Sequence, residues 1–221
     1  FCNTTNFNQN INTAINKWNT SKVTSMRSMF KNIRFNGDIT NWDVGNVTDF
    51  TGMFQDAIEF NQDISNWTTV SAVNMSGMFY NTTNFNQNIN TVTNKWSTRK
   101  VTSMECMFKN TTFNGNISDW DVSKVENFKE MFNNASKFNQ DISKWNMVSA
   151  TDIVNMFKCA VIFNCMDQSM TNWLGDDVIN INLKDFTGLF NGATNFNVSL
   201  TNWNTRGVTN MNRMFKNAPQ F

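Results

Sequence analysis

Histidine is absent from the 221 residues, and with it the side chain that most often serves acid–base chemistry and metal ligation near neutrality. No carboxylate pair, nucleophile with a base, or phosphate loop stands out in its place, so the chain reads as a non-enzyme with no cofactor. Net charge is nearly absent as well. Eighteen Lys and Arg against 17 Asp and Glu leave +1, and no overall field would gather nucleic acid or an anionic membrane. No run approaches the ~20 apolar residues of a spanning helix, and the opening FCNTTNF has neither an initiator Met nor a signal-peptide pattern. This stretch is therefore expected not to insert into a membrane itself, with any secretion signal or anchor lying outside it. Proline and tyrosine occur once each, whereas 21 Phe, 14 Met and 8 Trp stand in a background of Asn and Thr, which implies an aromatic core under a neutral polar surface.

The aromatic residues are periodic. The anchors Phe30, Phe54, Phe79, Phe108, Phe132, Phe157, Phe190 and Phe215 are separated by 24, 25, 29, 24, 25, 33 and 25 residues, and all but Phe190 follow a Met. A Phe-Asn pair comes five or six residues after an anchor, and one Trp lies in each repeat, 12 residues before the anchor except at Trp173. Phe7 opens the series and Phe221 supplies a last Phe. Residues 7–78 match residues 85–156 at a constant offset of 78, as duplication of a three-repeat block would produce, and 165–189 is the irregular repeat with insertions. Phe1 stands in an anchor position and Phe221 in a Phe-Asn position, without capping elements, so 1–221 reads as a single repeat solenoid cut from a longer chain.

Apolar residues at minus 7, minus 4, minus 1, zero and plus 3 from the anchor, such as Val47, Phe50, Met53, Phe54 and Ala57, read as one face of a short helical segment. Its Thr, Ser, Asn and Gly content makes a partly 3₁₀ helix held by packing the expectation. Phe-Asn-x-x-Ile-x-x-Trp reads as a short strand. The fold class that follows is an α/β solenoid of about eight repeats, with one short parallel strand and one short helical segment per repeat. Its structural anchors are Trp42, Phe54, Phe60, Asn61, Trp120, Phe132, Phe138 and Asn139, with the Asn after each Phe expected to form an inward ladder that satisfies turn backbone groups.

FNQDISNW, WDVGNVTDFTGMF and MFNNASKFNQDISKW resemble the repeats of BspA-like surface proteins, leucine-rich-repeat relatives of the mycoplasma-lipoprotein type that also occur in large DNA viruses. The resemblance covers essentially the whole chain and weakens around 165–189. It implies a right-handed leucine-rich-repeat-like stack displayed outside a cell or virion, with roles in adhesion or host contact, and it carries no catalytic residues.

Cys2, Cys106, Cys159 and Cys165 lack the spacing of a metal or redox site; free or buried thiols are the favoured reading, with a Cys159–Cys165 disulfide as the alternative. Asp38, Asp63 and Asp141 share a register with Asn10, Asn88 and Asn116, too few carboxylates for calcium, so a solvated turn is favoured. Insertions in repeat proteins fall in loops and on binding rims. The loops 12–17 and 90–95 and the interrupted seventh repeat therefore supply the candidate interaction residues Asn12, Lys17, Asn90, Lys95, Asp167, Gln168, Asp176 and Asp177. The Trp series, one per turn in fixed register, is favoured as core over exposed hot spots. Two functions remain open: a surface module contacting a protein or glycan on a host or neighbouring surface, or a structural spacer contacting itself or capsid and envelope proteins. Location follows as extracellular or cell surface, with a virion as the alternative.

Overall fold

The structure, a computed structural model, describes residues 2–4, 7–12, 18–91, 95–171, 173–174, 182–201 and 203–221, with Asp167 described as backbone only. Its local conformation is set by two rows of left-handed residues. One lies two positions before each anchor Phe (Ser28, Gly52, Gly77, Cys106, Glu130, Asn155, Gly188, Arg213). The other lies two positions after it (Asn32, Asp56, Asn81, Asn110, Asn134, Cys159, Gly192, Asn217), and in both φ lies between 54° and 76°. Such residues interrupt any right-handed helix. Gly carries no Cβ penalty there, and Asn carries less than most.

Each left-handed residue is the third of a β-turn. In the second repeat the N–H of Met53 donates to the C=O of Phe50 (3.0 Å) and that of Ala57 to Phe54 (3.0 Å), while Gln55 donates to Gly52 (3.1 Å) in a turn overlapping both. Positive φ at the third residue alone makes the outer two type II turns. The N–H groups not used inside the turns reach the next repeat. Met26, Ser28, Phe30 and Asn32 donate to the carbonyls of Asp49, Thr51, Met53 and Gln55 at 2.8–2.9 Å, and Phe50, Gly52, Phe54 and Asp56 do the same to Asn74, Ser76, Met78 and Tyr80. Alternate residues thus close turns and link neighbours, and this backbone is satisfied without helix or sheet.

The expected α/β solenoid, with a leucine-rich-repeat-like strand and helical segment in each repeat, is overturned. Among the described residues the helical structure is one three-residue 3₁₀ turn, Cys165–Asp167. The parallel pairings are isolated bridges, Ser25 to Asp49, on through Asn74, Ser103 and Asn127 to Asp152, and Asp185 to Asn210. The helix-like spacing arises because overlapping turns also return a side chain to the core every three or four positions. The expected strand fails because its Asp or Asn makes a turn: the Oδ1 of Asp63 accepts the N–H of Ser65 (2.9 Å), and the N–H of Trp67 then donates to Ile64 (3.1 Å). Asn10, Asp38, Asn88, Asn116 and Asp141 do likewise. Asp49, Asn74, Asn127, Asp152, Asp185 and Asn210 repeat the device before the Met-Phe turns, which explains the Asn- and Asp-rich composition.

Stacking of equivalent side chains builds the core. Anchor rings lie 5.5–5.7 Å from their equivalents in adjacent repeats, from Phe30 through to Phe215. Within a repeat the anchor lies face to face on the Phe of the Phe-Asn pair, at 3.8 Å for Phe54 and Phe60 and 3.9 Å for Phe132 and Phe138. Trp42, Trp67, Trp96, Trp120, Trp145 and Trp173 are buried. Each donates its Nε1–H to the C=O of the Ile one repeat earlier, Ile11, Ile39, Ile64, Ile89, Ile117 and Ile142, at 2.8–3.2 Å. An indole can be buried here because its one polar atom is satisfied.

Candidate functional site

The side chains available for contact follow from which positions the stack consumes. Trp42, Phe54, Phe60, Trp120, Phe132 and Phe138 are core. Asn61 and Asn139 do form part of a ladder: the Oδ1 of each Asn from Asn8 to Asn164 accepts the backbone N–H of the equivalent Asn one repeat on, at 2.7–3.1 Å. The ladder satisfies backbone groups as expected, but it does not face inward. Asn61 is exposed and Asn139 half-buried, because the Phe beside each Asn takes the interior and the amide caps the outer edge. Gln62, Gln87 and Gln140 extend the device, each donating Nε2–H to both the C=O and the Oδ1 of the Asn in the preceding repeat.

Asn12 and Asn90, at the starts of the two equivalent inserted loops, are buried and tie their own repeat to the next. Asn12 donates to Asp38 Oδ2 (2.5 Å) and accepts from Asn41 Nδ2 (3.0 Å); Asn90 donates to Asp119 Oδ2 (3.2 Å). The hydrogen bond from the Thr40 backbone, outweighing partial burial, together with those from the Thr40 hydroxyl and Asn12, holds the Asp38 carboxyl below its usual range. Lys95 is exposed at the end of the second loop, and its N–H donates to Ser65 (3.3 Å). It borders an open cleft of about 320 Å³ lined also by Thr40, Asn41, Trp42, Asp43, Val44, Asn66 and Thr68. The structure thus brings Lys95, but neither of the expected Asn residues, to a concave polar surface. Gln168 is exposed on the irregular repeat, with its N–H on Cys165 (2.9 Å). Lys17, Asp176 and Asp177 lie outside the described residues, as does the side chain of Asp167.

The four thiols are free. Burial, with Glu130 and Glu105 opposing Lys109, pushes Cys106 up to about 12, and burial pushes Cys165 to about 11, so neither is a ready nucleophile. Among the described residues no group of three or more Cys, Asp or Glu side chains is placed to hold a metal ion. The chain matches, over residues 1–95, 89–182 and 165–221, the family described as "Mycoplasma protein of unknown function, DUF285". The chain belongs to this family. The match supports a tandem repeat of mycoplasma type and does not single out the BspA-like leucine-rich repeats. No curated protein and no solved structure matches the chain. The two left-handed rows were the feature missed by sequence reasoning, although Gly52, Gly77 and Gly188 in one and Asn32, Asn81, Asn110 and Asn134 in the other were a readable signal.

Proposed function

We propose that this chain is a surface-exposed repeat module that mediates adhesion or protein–protein interaction in host contact, at the cell surface or on a virion. The observation that carries the reading is the cleft beside Lys95. It sits where a loop has been inserted into an otherwise regular stack, and there a cation, a carboxylate, two amides and two hydroxyls surround a concavity. Stacking alone does not require that insertion, since repeats without it pair through the same backbone bonds. The kinship with BspA-like surface proteins suggested by FNQDISNW supports the same reading. A protein or a glycan would meet the cleft through hydrogen bonds and one or two rim charges, an arrangement that favours specificity over affinity.

The alternative, a spacer in an envelope or capsid lattice, is favoured by the continuous backbone ladder that ties each repeat to the next. Crosslinking mass spectrometry of the full-length protein on intact cells or particles separates the two. Crosslinks from Lys95 to host molecules are expected; crosslinks confined to its own copies or to envelope and capsid proteins overturn the interaction reading.

A further inference from the structure

The position before each Phe-Asn pair is polar in the other repeats, occupied by Asn6, Arg34, Glu59, Asn84, Thr112, Lys137 and Asn195, and Gln220 holds the same place before Phe221. The sixth repeat places Ile162 there, 37% exposed, beside the exposed Val161. Past the same Phe-Asn pair, Cys165 and Met166 replace the Gln-Asp of the preceding repeat, and both are left-handed, with φ of 49° and 48°. The Met166 N–H donates to Asn139 Oδ1 (3.2 Å), and its side chain is 52% exposed. Sequence and backbone depart together from a periodic background here, at a cost in exposed apolar surface, and such joint departures mark function.

The departure borders an open hollow of about 380 Å³ lined by Asn139, Ile162, Asn164, Asn195, Asn197 and Gln220. The hollow is open, so a ligand would meet it with one face. The lining is five carboxamides and one aliphatic side chain, none of which ionises. Asn139 and Asn164 are held in place because their Oδ1 atoms accept the N–H of Asn164 and of Asn197 (both 2.7 Å), while Asn195 is exposed. With those two oxygens taken by the stack, the carboxamides of Asn195, Asn197 and Gln220 are the ones that can both donate and accept, which matches a ligand bearing hydroxyls and amides. A charged ligand finds no counter-ion here, and an extended apolar segment finds a single aliphatic contact.

We propose that this hollow binds an N-acetylated sugar unit of a neutral glycan, with the acetamide methyl on Ile162 and the ring hydroxyls on the carboxamides. The proposal names a partner class for the interaction module and rests on that reading for its biological setting, whereas binding itself is tested on the isolated protein. Calorimetric titration of the whole protein would compare a trimer of β-linked N-acetylglucosamine with a trimer of β-linked glucose, which lacks the acetamide. Binding of the acetylated trimer is expected, with the glucose trimer about tenfold or more weaker, the scale of one lost apolar contact plus an unpaired polar group. Ile162→Lys is expected to weaken the acetylated trimer by a similar factor, and Ile162→Asn provides a second variant; Lys137 and Asn84 fill that register in other repeats, so both substitutions suit the fold. No binding, equal binding of the two trimers, or binding unchanged by both substitutions overturns the proposal, as does displacement of the acetylated trimer by an unrelated extended peptide. Any of these would leave Lys95 crosslinks to host molecules intact, so failure here is distinguishable from failure of the interaction reading.

Discussion

The two halves of each repeat are joined to their neighbours by different means. Around the Met-Phe anchor, alternate backbone N–H groups donate directly to backbone carbonyls one repeat on. From the Phe-Asn pair to the Trp, the links are mostly made by side chains: Asn Oδ1 takes a backbone N–H, and Trp Nε1–H reaches an Ile carbonyl. The insertions respect this division, and the one-residue difference in spacing from anchor to Phe-Asn pair falls after the last ladder residue, two positions past the anchor. The loops at 12–17 and 90–95 and the irregular stretch after Phe163 lie in the second half or at its Trp corner, and none falls between the position seven before an anchor and the anchor itself. A backbone ladder requires strict register, whereas a side-chain link reaches across a loop of variable length.

The largest expected effect tests that division directly. One residue inserted between Phe50 and Met53 shifts the alternation that gives Phe50, Gly52, Phe54 and Asp56 their partners, and loss of a cooperative denaturation transition is expected. The same insertion between Ser65 and Asn66 is expected to cost about 1 kcal/mol or less, since loop-closure entropy grows slowly with length. Equal damage at both places would break the comparison. Within the core, Phe54→Ala is expected to lower unfolding free energy by about 3–5 kcal/mol in a urea titration, as for other buried aromatics. That ring is fully buried and stacks on Phe30, Phe60 and Phe79.

On the side-chain half, Asn139→Ala strands the N–H groups of Asn164 and Met166, and about 1–3 kcal/mol should be lost. Gly77→Ala isolates the backbone contribution of the left-handed rows: at φ of 60° its Cβ would come no nearer than 3.8 Å to Tyr80 Cβ, so the expected loss of about 1–2 kcal/mol is conformational. The smallest effect concerns Glu130 and Lys109, an ion pair whose cation also lies 5.7 Å from the centre of the Tyr80 ring. Burial opposes the charge of Glu130, but the hydrogen bond and charge of Lys109 outweigh it and hold the carboxyl below its ordinary 4.5. The pair's contribution is therefore complete above that value and fades as pH falls through the lower folded one. Burial likewise opposes the Lys109 charge and is outweighed by Glu130, which raises the amine above 10.5, so on the alkaline side the contribution is complete below 10.5 and is lost as pH rises through the higher folded value. Midpoints of denaturation measured against pH should show a small acid decline that Glu130→Gln lacks.

The repeat length, both Phe columns and the Trp core were legible because stacking requires the same large side chain at the same place in every turn. Local conformation was not. Val47, Phe50, Met53 and Phe54 satisfy a helical spacing, and only the left-handed demand at Gly52 and Asp56 distinguishes overlapping turns from a helix. The Asn ladder was legible as a satisfier of backbone groups but not in its direction, since Phe60 and not Asn61 occupies the interior. Of the candidate contact residues, Lys95 reaches a cleft, whereas Asn12 and Asn90 are buried braces that loop position alone could not tell from contacts. The hollow beside Ile162 is visible only once the neighbouring repeats are stacked in space.

The most direct test of the stacked-turn architecture is the sign of φ at Ser28, Cys106, Glu130, Asn155 and Arg213, measured from backbone scalar couplings in solution. These residues lack the freedom of glycine, and the stacked turns give each a φ between 54° and 58°. Positive φ at all five is the expected result. Negative φ at these positions, as either a helix or a strand requires, would contradict it.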